Sequence, residues 1–359
     1  MVGMAMGDQR PVDRRPGVDV KIACGAIKPV LGDAQNAHGP TIARPGAGAI
    51  AFGAAAAHSA SMADVHVTEP IHPDALALLA AAGLSVSCGW EDSDPAAGLA
   101  AARAWILRTF VVSPAMIAGA PALQAICKHG VGTDNIPVAE AERRGIPVFN
   151  TPGANANAVA EHTMMLLLAL ARQAVAMDRV ARTGFQGVER LAPVELSGRR
   201  MLIAGFGPIG QRVAHLARAF GIEVTLWHRR LSAEDAGLPV VRDLRAALPA
   251  AQILSLHLPL NEGTRGLIGA AELAALPEGA ILINTGRGGV VDEAALVAAA
   301  PRLGGIGLDV FETEPARPTD PLFALPNALV SPHAAARGDQ SFRRMGMMAA
   351  EAAIRALGA

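Results

Sequence analysis

From Met62 onward, short apolar runs take turns with stretches of helical period, and that alternation sets the expected elements. Strands are expected at Asp64–Thr68, where apolar and polar residues alternate, and at Leu84–Cys88, Trp105–Thr109, Leu123–Lys128 and Pro147–Asn150. Between them Asp74–Ala82 reads as an amphipathic helix, Ser113–Ala118 as a short one, and Val138–Arg144 as a third with Pro137 as its start signal. Ala156–Ala171 then forms one long apolar helix, a natural connector between domains. The alternation resumes with strands at Met201–Ala204, Ile222–Trp227, Gln252–Leu256, Ala280–Asn284, Gly305–Asp309 and Ala328–Ser331. Helices are expected at Arg212–Phe220, Asp243–Leu248, Ala270–Leu276, Glu293–Ala300 and Ser341–Leu357. Strand-helix order of this kind implies parallel sheets with helices on their faces, an α/β fold. Residues 1–61 are different: rich in Gly, Ala and Pro, without a sustained period, they read as a disordered or non-native N-terminal extension.

The centre of the chain is the segment Met201–Arg230. Its first strand runs straight into Gly205-x-Gly207-x-x-Gly210 and then a helix, all inside a unit of about 30 residues, which is the context that gives the glycine pattern meaning. The first glycine permits the tight turn, the second lets backbone approach a pyrophosphate, and the third lets helix and strand pack closely. The helix start adds free N–H groups and a positive dipole end. A NAD site usually places Asp or Glu at the end of the second strand, about 20 residues on. Here that place reads His228-Arg229-Arg230. Two guanidiniums suit a 2′-phosphate, so NADP is expected ahead of NAD.

Composition removes several classes. With 31 basic and 32 acidic residues there is no electrostatic footprint for nucleic acid. Cys24, Cys88 and Cys127 are too few and scattered for a disulfide framework or a zinc site, and fit a reducing cytoplasm. No metal site is expected. The longest strongly apolar run, Met164–Ala171, is too short to cross a bilayer, and nothing near Met1 has a signal-peptide layout.

Four separated motifs carry a resemblance covering the chain from about Met62 to its end: KHGVGTDNI (Lys128–Ile136), GFGPIG (Gly205–Gly210), HLPLNEGTRGLIG with INTGRGGVVDE (His257–Glu293), and GLDVFETEP with SPH (Gly307–His333). The chain resembles the D-isomer-specific 2-hydroxyacid dehydrogenases, a family that includes glyoxylate/hydroxypyruvate reductases and D-3-phosphoglycerate dehydrogenases. The resemblance implies two Rossmann-like domains: a flavodoxin-like substrate domain of residues 62–155 plus 338–359, and an inserted NAD(P)-binding domain of residues 156–337. The expected crossings are the Ala156–Ala171 helix and the return near Ala335–Arg344. It also implies a homodimer through the cofactor domains, with the Ala156–Ala171 helix contributing to the contact.

The implied chemistry is the reduction of a 2-keto acid to its D-2-hydroxy acid, with hydride from the nicotinamide. His333 is the expected proton donor, since an ordinary imidazole titrates near 6.5. Glu314 is expected to orient it, with neighbouring Glu312 as the near miss. Arg287 is expected to hold the substrate carboxylate, a planar fork on a planar acid. The amides of Val131 and Gly132 would form an anion nest from the other domain, and Arg108 an outer substrate contact. Asp309 is expected near the nicotinamide carboxamide. Pro208, Ile209, Pro259, Thr264 and Thr285 complete the implied cofactor set with the three glycines, His228, Arg229 and Arg230. Lys128, His129 and His257 read as structural, and Met164 and Met165 as helix core.

Departures narrow the substrate. Phe110 stands where phosphoglycerate enzymes tend to carry a second basic residue, and a regulatory domain after the return helix is not expected. A small unphosphorylated acid such as glyoxylate or hydroxypyruvate is therefore expected, although Ala334-Ala335-Ala336-Arg337 after His333 departs from the family's usual glycine-containing pair. Two alternatives stand beside it: a D-3-phosphoglycerate dehydrogenase without its regulatory domain, and a NAD-binding co-repressor-like interaction protein.

Overall fold

A computed structural model describes residues 63–359 apart from 92, 93, 95 and 97, so the expected N-terminal extension and Cys24 lie outside the described residues. The first group of elements is β1 (Val65–Val67), α1 (Pro73–Ala81), β2 (Val86–Cys88), β3 (Ala104–Leu107), α2 (Pro114–Ala118), β4 (Ala125–Lys128), α3 (Val138–Arg143) and β5 (Val148–Phe149). Its five strands pair in parallel in the order β2-β1-β3-β4-β5. β1, β3 and β4 are buried along their whole length. The alternation expected at Asp64–Thr68 is thus no guide to exposure, because helices cover both faces of a parallel sheet.

Then follow α4 (Ala156–Ala171), α5 (Ala174–Arg182), β6 (Arg200–Ala204), α6 (Pro208–Ala219), β7 (Glu223–Trp227), α7 (Ala233–Ala236), β8 (Val240–Val241), α8 (Leu244–Ala247), β9 (Ile253–Leu256), α9 (Ala270–Ala275), β10 (Ile281–Asn284), α10 (Glu293–Ala299), β11 (Gly305–Leu308) and β12 (Ala328–Val330). These strands form a seven-stranded parallel sheet, β12-β11-β10-β9-β6-β7-β8. The chain order reverses between β6 and β9, and in such sheets ligands lie outside the carboxyl ends of the strands at that point. In the first sheet the reversal falls between β1 and β3.

Each sheet has its own core. α4 buries Met164, Leu166 and Leu167 with Ile203, Ile253 and Ile283 of the second sheet. The last helix, α11 (Asp339–Leu357), returns to the first sheet, where Ala349, Ala350, Ala352 and Ala353 pack with Val65, Val67 and Ile106. Small residues allow that close approach: a Cβ on Gly346 would come 3.2 Å from the Cβ of Ala75.

Two expectations need correction. Met165 is 47% exposed and is not core, since it lies on the face of α4 turned from the sheet. The pattern also gave no hint of α5, which buries none of its residues and so carries no core-facing stripe to be read.

Candidate active site

The glycine turn after β6 is built as a dinucleotide cradle needs. A Cβ on Gly205 (φ +99) would collide with the carbonyl of His257 at the end of β9, and one on Gly210 with the carbonyl of Gly205. A Cβ on Gly207 would meet nothing within 4 Å, so this turn presents bare backbone to open space. Gly207 caps α6 without any side-chain hydrogen bond, leaving the first N–H groups of the helix outward and uncapped, with Pro208 at the first turn. A phosphate fits that arrangement.

The carboxyl ends of β10, β11 and β12 supply the reactive side chains. Arg287, just past β10, donates from Nε to Asp134 Oδ2 at 2.9 Å and from Nη1 to the carbonyl of Gly286 at 2.7 Å. Its Nη2 occupies the place a Cβ of Gly132 would need, so guanidinium and glycine backbone are in contact. Gly288 seals the same loop against the 311–312 backbone, where a side chain would clash outright. His333, just past β12, holds Nδ1 2.6 Å from Glu314 Oε2. Glu314 also accepts from the amide of Phe311 at 3.0 Å. Half-burial raises this carboxyl, but hydrogen bonds from His333 and Phe311 and the charges of His333 and Arg287 together hold it below the ordinary 4.5. Glu314 therefore lies in the field of both basic groups. Glu312 is elsewhere, accepting from the amide of Glu293 at 3.0 Å.

His333 has φ +49, a left-handed backbone that a non-glycine residue keeps only where its surroundings impose it. The surroundings are Asp309, which is 1% exposed. Its carboxylate accepts from Ser331 Oγ (2.6 Å) and from the amides of Ala334 (2.7 Å) and Ala335 (2.9 Å), while its carbonyl accepts from the amide of His333 (2.8 Å). The chain on both sides of His333 is tied to this one residue.

From the first sheet comes the loop after β4. The amides of Val131 and Gly132 donate to no hydrogen bond among the described residues, while the carbonyl of Val131 accepts from Asn150 Nδ2 at 2.7 Å. Arg108 follows β3, its guanidinium carbon 5.8 Å from the ring centre of Phe342 and its Nε buried without a partner. Its loop is held by Glu69, at the end of β1, which accepts from the amides of Arg108 (2.7 Å), Thr109 (2.6 Å) and Phe110 (3.0 Å). Lys128 donates to the carbonyl of Arg108 and to Asn135 Oδ1, and burial pulls its pKa down to about 8.

Residues 164–335 match the family model described as the NAD binding domain of D-isomer specific 2-hydroxyacid dehydrogenases. A glyoxylate reductase of Aeropyrum pernix is 42% identical over 249 residues, which cover 66% of this chain and 74% of that protein. The chain belongs to the D-isomer-specific 2-hydroxyacid dehydrogenase family. A D-3-phosphoglycerate dehydrogenase of Methanocaldococcus jannaschii is 34% identical over 297 residues, covering 81% of this chain and 56% of that protein. Among solved structures, the TT0316 protein of Thermus thermophilus superposes with a TM-score of 0.76 at 36% identity, covering 82% of this chain and 96% of that one. This dehydrogenase is accordingly an oxidoreductase acting on the CH–OH group of 2-hydroxy acids, with a NAD-binding half.

The other expected cofactor residues lie past the carboxyl ends of β6, β7, β9 and β10. Arg229 and Arg230 are both exposed; Arg229 lies over Trp227 (5.7 Å to the ring centre) and donates to the carbonyl of Gly263 at 2.7 Å. His228 accepts the amides of Arg230 (3.2 Å) and Leu231 (2.8 Å), so it caps its own turn. Thr264 donates to the carbonyl of Pro259 at 2.6 Å, pinning the loop after β9. Ile209 packs into the core under α6. The hydroxyl of Thr285 faces inward, 2.9 Å from Thr163 Oγ1 and 3.4 Å from His257 Nδ1. Burial lowers the pKa of His257 to about 4, so a neutral ring links Ser255 (2.9 Å) to Thr285.

Asp134, Glu69, His162, Thr163 and Ser331 were not singled out from the sequence. Asp134 and Ser331 stand inside quoted motifs, which is the signal that points to them; a lone carboxylate after β1 or a His-Thr pair on an apolar helix gives none. Among the described residues no helix is long and apolar enough to cross a membrane, and no group of three or more His, Cys, Asp or Glu is placed to hold a metal. An apolar concavity of about 650 Å³ lies between α4 and α6 and is lined by Met165, Leu168, Leu216 and Phe220, among others. None of the site residues lines it.

Proposed function

We propose that this dehydrogenase reduces a small unphosphorylated 2-keto acid of the glyoxylate or hydroxypyruvate kind to its D-2-hydroxy acid. In this proposal residues 62–155 with 338–359 hold the substrate and residues 156–337 the cofactor. The observation that carries it is the Glu314–His333 pair lying within the field of Arg287, while Arg287 itself packs on Gly132. The substrate carboxylate is held by the Arg287 fork and the unengaged amides of Val131 and Gly132. A bound nicotinamide dinucleotide supplies the hydride. His333 uses Nε2, the ring nitrogen not engaged by Glu314, to give its proton to the carbonyl oxygen. Glu314 keeps the other nitrogen's hydrogen bond and so fixes the ring, and Asp309 fixes the loop on which the ring stands. Arg108 borders the site as the outer contact, and Phe110 beside it supplies no charge for a substrate phosphate.

NADPH is the proposed donor in preference to NADH. Support comes from the end of β7, where His228-Arg229-Arg230 offers two guanidiniums and no carboxylate. A homodimer is proposed through α4 and its neighbours, on the strength of exposed Met165, Val175, Phe185 and Phe220. Light scattering at micromolar concentration checks this, and a monomer there rules it out.

The test of function is kcat/KM for glyoxylate and hydroxypyruvate with each reduced dinucleotide. Reduction of both acids, faster with NADPH, is expected, and replacing Arg229 and Arg230 by Ala should erode the NADPH advantage. Activity confined to 3-phosphoglycerate with NAD would overturn the substrate, and an unchanged preference in the double variant would overturn the cofactor assignment.

A further inference from the structure

Arg287 and His333 stand on separate loops, yet the proton donor and the carboxylate clamp have to meet one substrate, so something must set the distance between the loops. Two adjacent residues of α4 reach both. Thr163, fully buried, lies with Oγ1 2.9 Å from Thr285 Oγ1, and Thr285 is two residues before Arg287. His162 lies with Nε2 2.7 Å from Ser331 Oγ, and Ser331 is two residues before His333. The hydrogen bonds run in a consistent direction on each side. Thr163 donates to the carbonyl of Val159 (2.8 Å), which leaves its oxygen to accept from Thr285. Ser331 donates to Asp309 Oδ1 (2.6 Å), which leaves its oxygen to accept from His162 Nε2–H. His162 Nε2 is also 3.6 Å from Asp309 Oδ1, the residue that holds both flanks of His333.

The helix is seated for this purpose. α4 crosses directly over β11, the strand between β10 and β12, and the glycines of β11 let it come close. A Cβ on Gly307 would stand 2.6 Å from Ile283 Cδ1 and 3.2 Å from Leu166 Cβ, and one on Gly305 would stand 3.1 Å from Leu170 Cβ. Successive residues on a helix diverge by about 100°, so one turn above the middle strand can address the loops on both sides. A long helix packed on the sheet is also the stiffest ruler available between them.

We propose that His162 and Thr163 are positioning residues that set the Arg287 and His333 loops in register on a single turn of α4. The proposal rests on the reductase chemistry above. It differs from ordinary core packing in which replacements it tolerates. Packing favours Thr163→Val, which keeps the shape, over Thr163→Ser, which loses a methyl group; a tether requires the opposite order.

The experiment is steady-state kinetics of the full-length enzyme on glyoxylate for Thr163→Val, Thr163→Ser, His162→Leu and His162→Gln. Melting temperature and equilibrium dissociation constant of the preferred reduced dinucleotide are measured alongside. Thr163→Val should raise the glyoxylate KM about tenfold through the Arg287 loop, with Thr163→Ser near the parent. His162→Leu should lower kcat about tenfold and shift the pH profile of kcat/KM through the His333 loop, with His162→Gln recovering most of the loss. Dinucleotide binding should stay within about twofold throughout. Equal or better activity for Val than for Ser, or losses that simply follow weakened dinucleotide binding, would overturn the tether. Arg287→Ala and His333→Ala separate the two levels of inference. If both retain parental reduction, the catalytic assignment fails and the tether with it; if both lose activity while the four α4 variants behave as the parent, the tether alone is wrong.

Discussion

Gly132 shows how much of the site is decided by a missing side chain. Its Cβ would fall on Nη2 of Arg287, so Gly132→Ala pushes the guanidinium away while touching neither His333 nor Glu314. The keto-acid KM should rise by about tenfold or more with kcat reduced less; an unchanged KM would remove Arg287 from the carboxylate site. Glu314→Gln probes the other half. Gln keeps the shape but loses the charge that fixes the ring, so kcat should fall by about 10². Only a loss shared by Glu312→Gln would argue that charge near the loop, rather than contact with the ring, is what matters, because Glu312 is bound to Glu293 instead. The roles proposed for the arginine, the glutamate and the histidine come from motifs that give each residue type a chemical reason. The contacts that hold them carry no such signal. Asp134 stands in a motif and Asp309 is expected beside the nicotinamide, yet the bonds by which Asp134 holds Arg287 and Asp309 holds the His333 loop are made by atoms brought together only by folding.

At the scale of elements the strands were the most readable, since a short apolar run between breakers leaves few other choices, and the ends differ by a residue or two. What failed was α5, with nothing buried and so no inward face, and β8, only two residues long. Loops at the sheet reversals were equally opaque, because their order is imposed from a neighbouring strand. Glu69 is the clearest case. From the end of β1 it gathers three consecutive amides of the loop after β3. Burial raises its carboxyl, but hydrogen bonds from the Thr109 hydroxyl, the Arg108 amide and the Thr68 hydroxyl outweigh that and leave it below the ordinary 4.5. A carboxyl lowered by folding stabilises the protein above its unfolded pKa, and that contribution is lost as pH falls through the folded value. Glu69→Gln should therefore melt several degrees lower at pH 7, roughly the effect of 1–3 kcal/mol in a protein of this size, with the gap closing below pH 4.5. Melting curves across that range check it, and a gap that stays constant would mean the charge is irrelevant to the loop.

For the whole molecule, the two sheets are matched in one further respect: each carries a buried or half-buried histidine just past the carboxyl end of an inner strand. His129 follows β4 and His257 follows β9, and burial lowers each from the ordinary 6.5 to about 4. Between about pH 4 and pH 6.5 both are neutral in the folded protein while the unfolded chain binds their protons. Between pH 4 and pH 6.5 the unfolded state takes up more protons, so stability rises with pH across that window and falls as the solution is acidified through it. Each histidine contributes a slope of about 1.4 kcal/mol per pH unit while inside the window. Glu293 works against them, since burial raises its carboxyl and folded protein then binds the extra proton. Two groups against one leave a net slope of about 1–3 kcal/mol per pH unit, well before the lowered carboxyls such as Glu69 and Glu314 begin to protonate. Because His257 links Ser255 to Thr285 as a neutral ring, His257→Gln keeps hydrogen-bonding groups there while removing the titration. Denaturant unfolding at intervals from pH 4.5 to pH 7 should show a steep rise for the parent and less than half that rise for the variant; parallel curves would place the acid sensitivity in groups other than His257.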